Sequence, residues 1–147
     1  MQEKAGVDAI QIFDSWANQL SSDAFETYSK NYLKPIVDAC SVPVIVFMRE
    51  ACKRVDSLVK LNPSAISFDW EKPLHELRPK VPMCIQGNLN PDFLFESVDV
   101  VRKKTKALLS SMKGDPGFIA NLGHGIKPKT PYNSVKCFVD TIKESMS

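Results

Sequence analysis

Long apolar runs and a strong charge of either sign are both missing from this sequence. No apolar segment approaches the ~18 residues that a membrane-spanning helix needs. The 19 lysines and arginines nearly balance the 17 aspartates and glutamates, so the formal net charge is +2. Its densest basic group, residues 103–106, falls within a helical pattern and is interpreted as a solvated face. These absences argue against a membrane protein and against a nucleic-acid-binding protein.

Cysteine and glycine motifs are equally scarce. The four cysteines, at positions 40, 52, 84 and 137, form no Cys-x-x-Cys pair, so no zinc site is predicted and reduced thiols are expected. No Gly-x-Gly-x-x-Gly or Gly-Lys-Ser/Thr phosphate loop is present, which disfavours nucleotide-binding folds. Residues 1–5 do not resemble a signal peptide. A cytoplasmic location is expected, or a plastid if a targeting segment has been lost.

What the sequence does contain is a repeated alternation of short apolar strands and amphipathic helices. Strands are predicted at 7–13, 44–48, 65–68 and 82–85, and a fifth begins at Phe118 and breaks off before His124. Strands that are apolar on both faces are typical of a parallel sheet covered by helices. With 147 residues and no linker or composition shift, we expect one domain over 1–147. The pattern alone permits either an open doubly wound sheet or part of a (β/α)8 barrel.

Polar residues collect where these strands end. The candidates are Asp14-Ser15, Arg49-Glu50, Asp69-Trp70, Gln86-Gly87-Asn88 and His124. Barrel enzymes build their active sites at that rim. Each residue also has a plainer interpretation: Ser15 as a turn cap, Asp14 and Asp69 as solvated strand ends, and Gln86 and Asn88 as braces in a tight loop. The glycines beside His124 are expected to allow unusual backbone conformations and to leave its ring uncrowded.

Several blocks resemble the uroporphyrinogen decarboxylase family. They occur in the order and spacing of that family and extend over the whole chain. The blocks are residues 5–17 (AGVDAIQIFDSWA), 68–70 (FDW), 86–91 (QGNLNP) and 120–126 (ANLGHGI), followed by Pro128 and Thr130-Pro131.

The resemblance implies a (β/α)8 barrel that is usually a homodimer and uses no cofactor or metal. The implied reaction removes four acetate carboxyl groups of uroporphyrinogen III as carbon dioxide and gives coproporphyrinogen III. By the same resemblance, Ser15 matches a substrate-binding serine, and His124 matches the active-site histidine that contacts a carboxylate or helps in proton transfer. Arg49 is the one rim cation that suits the acidic porphyrinogen, but its match to a family residue is open.

The resemblance covers only the carboxyl-terminal part of the family's barrel, about five of eight strand–helix units. The family's amino-terminal arginine pair, its pyrrole-binding aspartate and its active-site tyrosine have no counterpart here. We therefore expect a fragment that is inactive alone and that self-associates through unpaired strand edges and an apolar inner layer.

Two alternatives stay open. One is a cobamide-dependent methyltransferase of similar fold, although no cysteine here follows a histidine in a His-x-Cys motif. The other is a non-catalytic half barrel that acts as a binding module.

Overall fold

The computed structural model describes residues 1–145 and contains one sheet of five parallel strands. The strands are β1 (Ile10–Phe13), β2 (Val44–Phe47), β3 (Ala65–Ser67), β4 (Cys84–Leu89) and β5 (Phe118–Leu122). They pair in chain order, β1-β2-β3-β4-β5. A doubly wound sheet reverses its strand order at a switch point, whereas a barrel does not. The observed order therefore supports the barrel interpretation.

Helices connect consecutive strands. The α-helices are α1 (Ser22–Phe25), α2 (Asn31–Ala39), α3 (Val55–Lys60), α4 (Leu74–Leu77), α5 (Val98–Ser111) and α6 (Tyr132–Ser145). Short 3₁₀ helices lie at Glu3–Ala5, Ala17–Gln19, Ala51–Lys53, Arg78–Lys80 and Pro91–Phe95, and a π-helical turn lies at Glu26–Lys30. None of the helices in residues 1–145 is long and apolar enough to cross a membrane.

The main core lies between one face of the sheet and the helices. Val46, Ile66, Phe68 and Ile85 have no exposed surface and belong to one cluster with residues of α2, α3 and α4. A second cluster joins Leu89 of β4 to α5 and α6. Side chains alternate along a strand, so the residues between these helix-facing positions lie on the opposite face of the sheet, which is called the inner face below.

The inner face is polar at its centre and apolar toward both edges. The Gln86 amide donates to Ser67 Oγ at 2.9 Å and to Gln11 Oε1 at 3.2 Å, which links β4 to β3 and β1. Phe13 is 66% exposed and Ile119 is 39% exposed. Ile45 and Phe47 of β2 share this inner face with Phe13, so the expected apolar inner layer is present over β1, β2 and β5 and is interrupted by the polar groups of β3 and β4.

Both flanks of the sheet are uncovered in the described part of the chain. Beside β1, Tyr28, Tyr32 and Ile36 recur at helical spacing and are at least half exposed. Beside β5, a cavity of about 640 Å³ opens between the strand and helices α5 and α6. In a closed barrel, neighbouring strand–helix units would pack against these surfaces.

The structure corrects several predicted boundaries. β1 begins at Ile10 rather than at residue 7, because its pairing with β2 starts at Ile10. β4 begins at Cys84 and continues to Leu89, so Gln86 and Asn88 lie in the strand and not in a loop. Pro35 lies inside α2, which begins directly after the π-helical turn.

The uncovered edges predict self-association of the isolated chain. Its mass in sedimentation velocity should rise with concentration, because β1 and β5 expose apolar side chains and unpaired backbone groups. Phe13→Lys and Ile119→Lys should each raise the concentration needed for association about tenfold or more. Gln19→Lys, which adds the same charge at an exposed site outside the strands, is the matched control. A wild-type chain that stays monomeric at all concentrations would contradict this prediction.

Candidate active site

The carboxyl ends of parallel strands place four candidate side chains at one rim of the sheet. Ser15 follows β1, Arg49 follows β2, Asp69 follows β3 and His124 follows β5. Their strands are neighbours or near neighbours, so residues far apart in sequence share one edge of the molecule. The predicted rim is confirmed as a location; the roles of its members stay predictions.

His124 stands at the tip of β5 with its ring exposed. The ring meets Phe47 of β2 edge-on, with 5.7 Å between ring centroids and 75° between ring planes. It also lines a small cavity of about 80 Å³ together with Arg49, Glu50, Asp69, Trp70 and Glu71. An imidazole held by one aromatic contact and open to a cavity is accessible to a ligand carboxylate or to a proton carrier.

Gly123 lets the chain before His124 pass close to the segment that follows β3. Its amide donates to the Leu89 carbonyl at 2.8 Å. A Cβ atom at Gly123 would lie 2.9 Å from the Trp70 amide nitrogen, whereas one at Gly125 would meet nothing within 4 Å. Neither glycine has a positive φ, so the expected unusual backbone conformation is wrong. Close packing, not conformational freedom, explains the glycine before His124.

Ser15 is half-buried, and its hydroxyl has no hydrogen-bond partner among residues 1–145. The 3₁₀ helix that follows (Ala17–Gln19) starts from Trp16 without any side-chain cap, so the turn-cap interpretation of Ser15 is wrong. The neighbouring Asp14 carboxylate accepts a hydrogen bond from Ser29 at 2.5 Å. The Ser15 hydroxyl is thus available to a ligand, while Asp14 is engaged within the fold.

Arg49 is exposed and stacks on an aromatic ring at the same rim. Its guanidinium carbon lies 5.8 Å from the centroid of the Trp16 ring, a cation–π contact. Within residues 1–145 no carboxylate forms an ion pair with Arg49, in contrast to Arg78, which pairs with Asp115, and Arg102, which pairs with Glu144. The N–H donors of its guanidinium group are therefore available to a ligand carboxylate.

Asp69 is buried rather than a solvated strand end. It is 6% exposed, and the Glu50 amide donates to its Oδ2 atom. Burial raises the pKa of the Asp69 carboxyl above its usual range, and the nearby Glu71 and Glu50 charges act in the same direction. Its Oδ1 atom has no hydrogen-bond partner in the described part of the chain.

Asn88 and Gln86 brace the rim from β4. The Asn88 amide donates to the carbonyls of Asp69 at 2.8 Å and Lys72 at 2.7 Å, which fixes the segment after β3. Gln86 holds the inner face, as described above. Asn88 therefore braces backbone, as predicted, but from a strand, whereas Gln86 bonds side chains of the inner face.

Sequence reasoning missed one group at this rim. One ligand atom each from Cys52, Asp69 and Glu71 lie within 4.8 Å of one another. Cys52 follows β2, and the two carboxylates follow β3, so only the pairing of these strands brings them together. Cysteine spacing within the sequence carries no signal of this kind.

The rim can receive an acidic ligand only with further positive charge. It offers one unpaired guanidinium, one imidazole and one hydroxyl. It also carries the carboxylates of Asp14, Glu50, Asp69 and Glu71. A ligand with several carboxylates would meet repulsion here unless other cations faced the same space.

Comparison with known sequences supports the resemblance. The family model described as "Uroporphyrinogen decarboxylase (URO-D)" matches residues 1–145. A uroporphyrinogen decarboxylase of Protochlamydia amoebophila is 42% identical over 148 residues, covering 98% of this chain and 41% of the relative. One of Aquifex aeolicus is 36% identical over 146 residues, covering 97% of this chain and 43% of the relative. The chain thus spans about two fifths of the curated relatives it matches.

Comparison with solved structures supports the fold. A methyltransferase from Methanosarcina mazei superposes with a TM-score of 0.84 at 21% identity, over 99% of this chain and 44% of that chain. At this identity the likeness extends to the fold and not to the activity. It agrees with a partial barrel of about five strand–helix units.

The packing around His124 predicts a difference between its two flanking glycines. Gly123→Ala should lower the free energy of unfolding by about 2 kcal/mol, because the new methyl group overlaps the Trp70 backbone. Gly125→Ala should change it by less than about 0.5 kcal/mol. Urea unfolding followed by tryptophan fluorescence measures both. Equal effects of the two substitutions would contradict the packing explanation.

Proposed function

The chain belongs to the uroporphyrinogen decarboxylase family, and from this premise we propose that residues 1–147 form one partial barrel that supplies the carboxyl-terminal five strand–helix units of such an enzyme. The proposed reaction is the removal of the four acetate carboxyl groups of uroporphyrinogen III to give coproporphyrinogen III. The observation that carries the proposal is the rim itself, where Ser15, Arg49 and His124 are all accessible and free of partners that would occupy them.

The proposed decarboxylation requires a protein that positions the substrate and stabilises its charges, and it requires no unusual side chain. Protonation of a pyrrole carbon makes the ring cationic. The electrons of the bond to the leaving carboxylate then flow into that ring as carbon dioxide departs. A second proton adds to the exposed methylene carbon, the first is released from the ring, and a methyl group results. The protein must hold the carboxylates, steady the cationic ring and keep water out.

The proposal gives each rim residue a role in that sequence. The Ser15 hydroxyl donates a hydrogen bond to a substrate carboxylate. Arg49 leaves its stack on Trp16 to pair with another carboxylate. His124, whose ring borders the cavity, contacts a carboxylate or passes a proton to the methylene carbon.

The rim of this chain alone does not complete the site. In the rim cavity Arg49 and His124 stand beside the carboxylates of Glu50, Asp69 and Glu71, and a substrate with many negative charges needs further cations. The family's arginine pair, aspartate and tyrosine would come from the units that pack against the uncovered flanks of β1 and β5. The assembled barrel is proposed to act as a homodimer in the cytoplasm, or in a plastid.

A methyltransferase role is not favoured. The solved methyltransferase shares the fold at 21% identity, and no cysteine of this chain stands two residues after a histidine. A non-catalytic half barrel is the remaining alternative, and the experiment below separates it from the enzyme.

A chimera tests the proposed activity. Residues 1–147 would replace the matching 41% of the Protochlamydia amoebophila enzyme, which restores the missing units on a 42% identical framework. We expect the chimera to convert enzymatically generated uroporphyrinogen to coproporphyrinogen, measured by chromatography of the oxidised porphyrins. We expect this chain alone to give no product. A folded chimera that binds substrate and releases no product would favour the half-barrel alternative.

Substitutions in that chimera test the three rim residues. His124→Asn should lower kcat by about 10²-fold or more, as expected for a group that moves a proton. Ser15→Ala and Arg49→Gln should raise KM by about tenfold or more, since each removes a charge-assisted hydrogen bond. His75→Asn, Ser110→Ala and Arg102→Gln are matched controls at positions away from the rim. Rim variants that behave like their controls would contradict the assigned roles.

A further inference from the structure

A cysteine and two carboxylates meet beside the rim. Cys52 lies in the 3₁₀ turn Ala51–Lys53 after β2, while Asp69 and Glu71 lie in the segment after β3. One ligand atom from each residue falls within 4.8 Å of the other two. The roles proposed above for Ser15, Arg49 and His124 use none of these three side chains.

The buried carboxylate of this cluster is incompletely satisfied. Asp69 is 6% exposed and its Oδ2 atom accepts from the Glu50 amide. Its Oδ1 atom is buried and has no hydrogen-bond partner within residues 1–145. Burying an acceptor without a partner is costly, because the water that it loses is not replaced. A positively charged partner beside this carboxyl would offset that cost.

The spacing of the cluster suits a metal ion. Cys52 Sγ and Glu71 Oε2 are 3.5 Å apart. On a tetrahedral zinc ion, a thiolate at ~2.3 Å and a carboxylate oxygen at ~2.0 Å are separated by about 3.5 Å. The arrangement can therefore take up a zinc ion with little movement of these two side chains.

The charge around the cluster is negative, and a metal ion would have to displace the thiol proton. Burial raises the pKa of the Cys52 thiol to about 11, and the hydrogen bond to Glu71 adds to that rise. Glu50 and Asp69 add further negative charge, and Lys53 and Lys72 are the nearby cations. A divalent ion would reverse this balance, because it favours the deprotonated thiol and neutralises the carboxylates.

We propose that Cys52, Asp69 and Glu71 form a binding site for a divalent cation of the zinc type, with the remaining position open to water. The thiolate ligand excludes magnesium and calcium, which prefer oxygen ligands alone. Asp69 and Glu71 also line the cavity that His124 borders, so the ion would add positive charge next to the rim.

Metal titration of the untagged chain tests the site directly, without any enzymatic assay. Isothermal titration with Zn²⁺ should give one site per chain, and Co²⁺ should give a thiolate-to-cobalt charge-transfer band. Cys52→Ser should abolish that band and weaken Zn²⁺ binding at least tenfold. Cys40→Ser, at the opposite end of β2, is the control and should change neither signal.

A second variant guards against misfolding of the first. Glu71 is exposed, so Glu71→Gln should leave the fold intact while weakening Zn²⁺ binding at least tenfold. The proposal would be overturned if Zn²⁺ affinity and the Co²⁺ band were the same in Cys52→Ser, Glu71→Gln and wild type. It would also be overturned if the folded wild-type chain bound no stoichiometric Zn²⁺. Neither outcome bears on the decarboxylase activity of the chimera, so the two proposals fail independently.

Discussion

Parallel pairing of five strands in chain order is the constraint on which the rest of this structure depends. It sends every strand in the same direction, so the five carboxyl ends meet at one edge. It also requires a crossover between consecutive strands, and those crossovers carry the helices that bury Val46, Ile66 and Ile85. The same pairing explains why Ser15, Arg49 and His124, which span 110 residues of sequence, lie at one edge of the sheet. Without it the rim would be three unrelated loops.

The sequence predicted the repeating part of this fold well and its irregular parts poorly. The apolar runs that became β2 and β3 are continuous, so their existence and parallel pairing followed from pattern alone. The extension of β4 through Gln86 and Asn88 did not, because the strand is polar there and its pairing with β5 is set by the fold rather than by an apolar pattern. Ser15 and His124 were identified through family resemblance, since an isolated serine or histidine has no distinctive pattern. The burial of Asp69 depends on packing between neighbouring strands, which a linear pattern cannot show.

Charge at the rim forms a cationic zone and an acidic zone, which meet at one cavity. Toward β1 lie the unpaired Arg49 and the free Ser15 hydroxyl, which suit an anionic ligand. Toward the turn after β3 lie Asp69 and Glu71, which suit a cation. His124 borders both, because its ring touches Phe47 and its cavity includes the carboxylates. The binding of a ligand carboxylate near His124 therefore depends on neutralisation of Asp69 and Glu71. Protonation, a metal ion or cations from other parts of a complete barrel would neutralise them.

The hydrogen bond from Gln86 to Gln11 joins the fourth strand to the first across the inner face. This bond supports the curvature of the five-stranded sheet before the remaining strands close the barrel. The strands that complete the barrel then pack against a sheet that is already curved. Less conformational entropy is lost than if a flat sheet had to bend during closure. Closure of such a barrel therefore needs little rearrangement of these five strands.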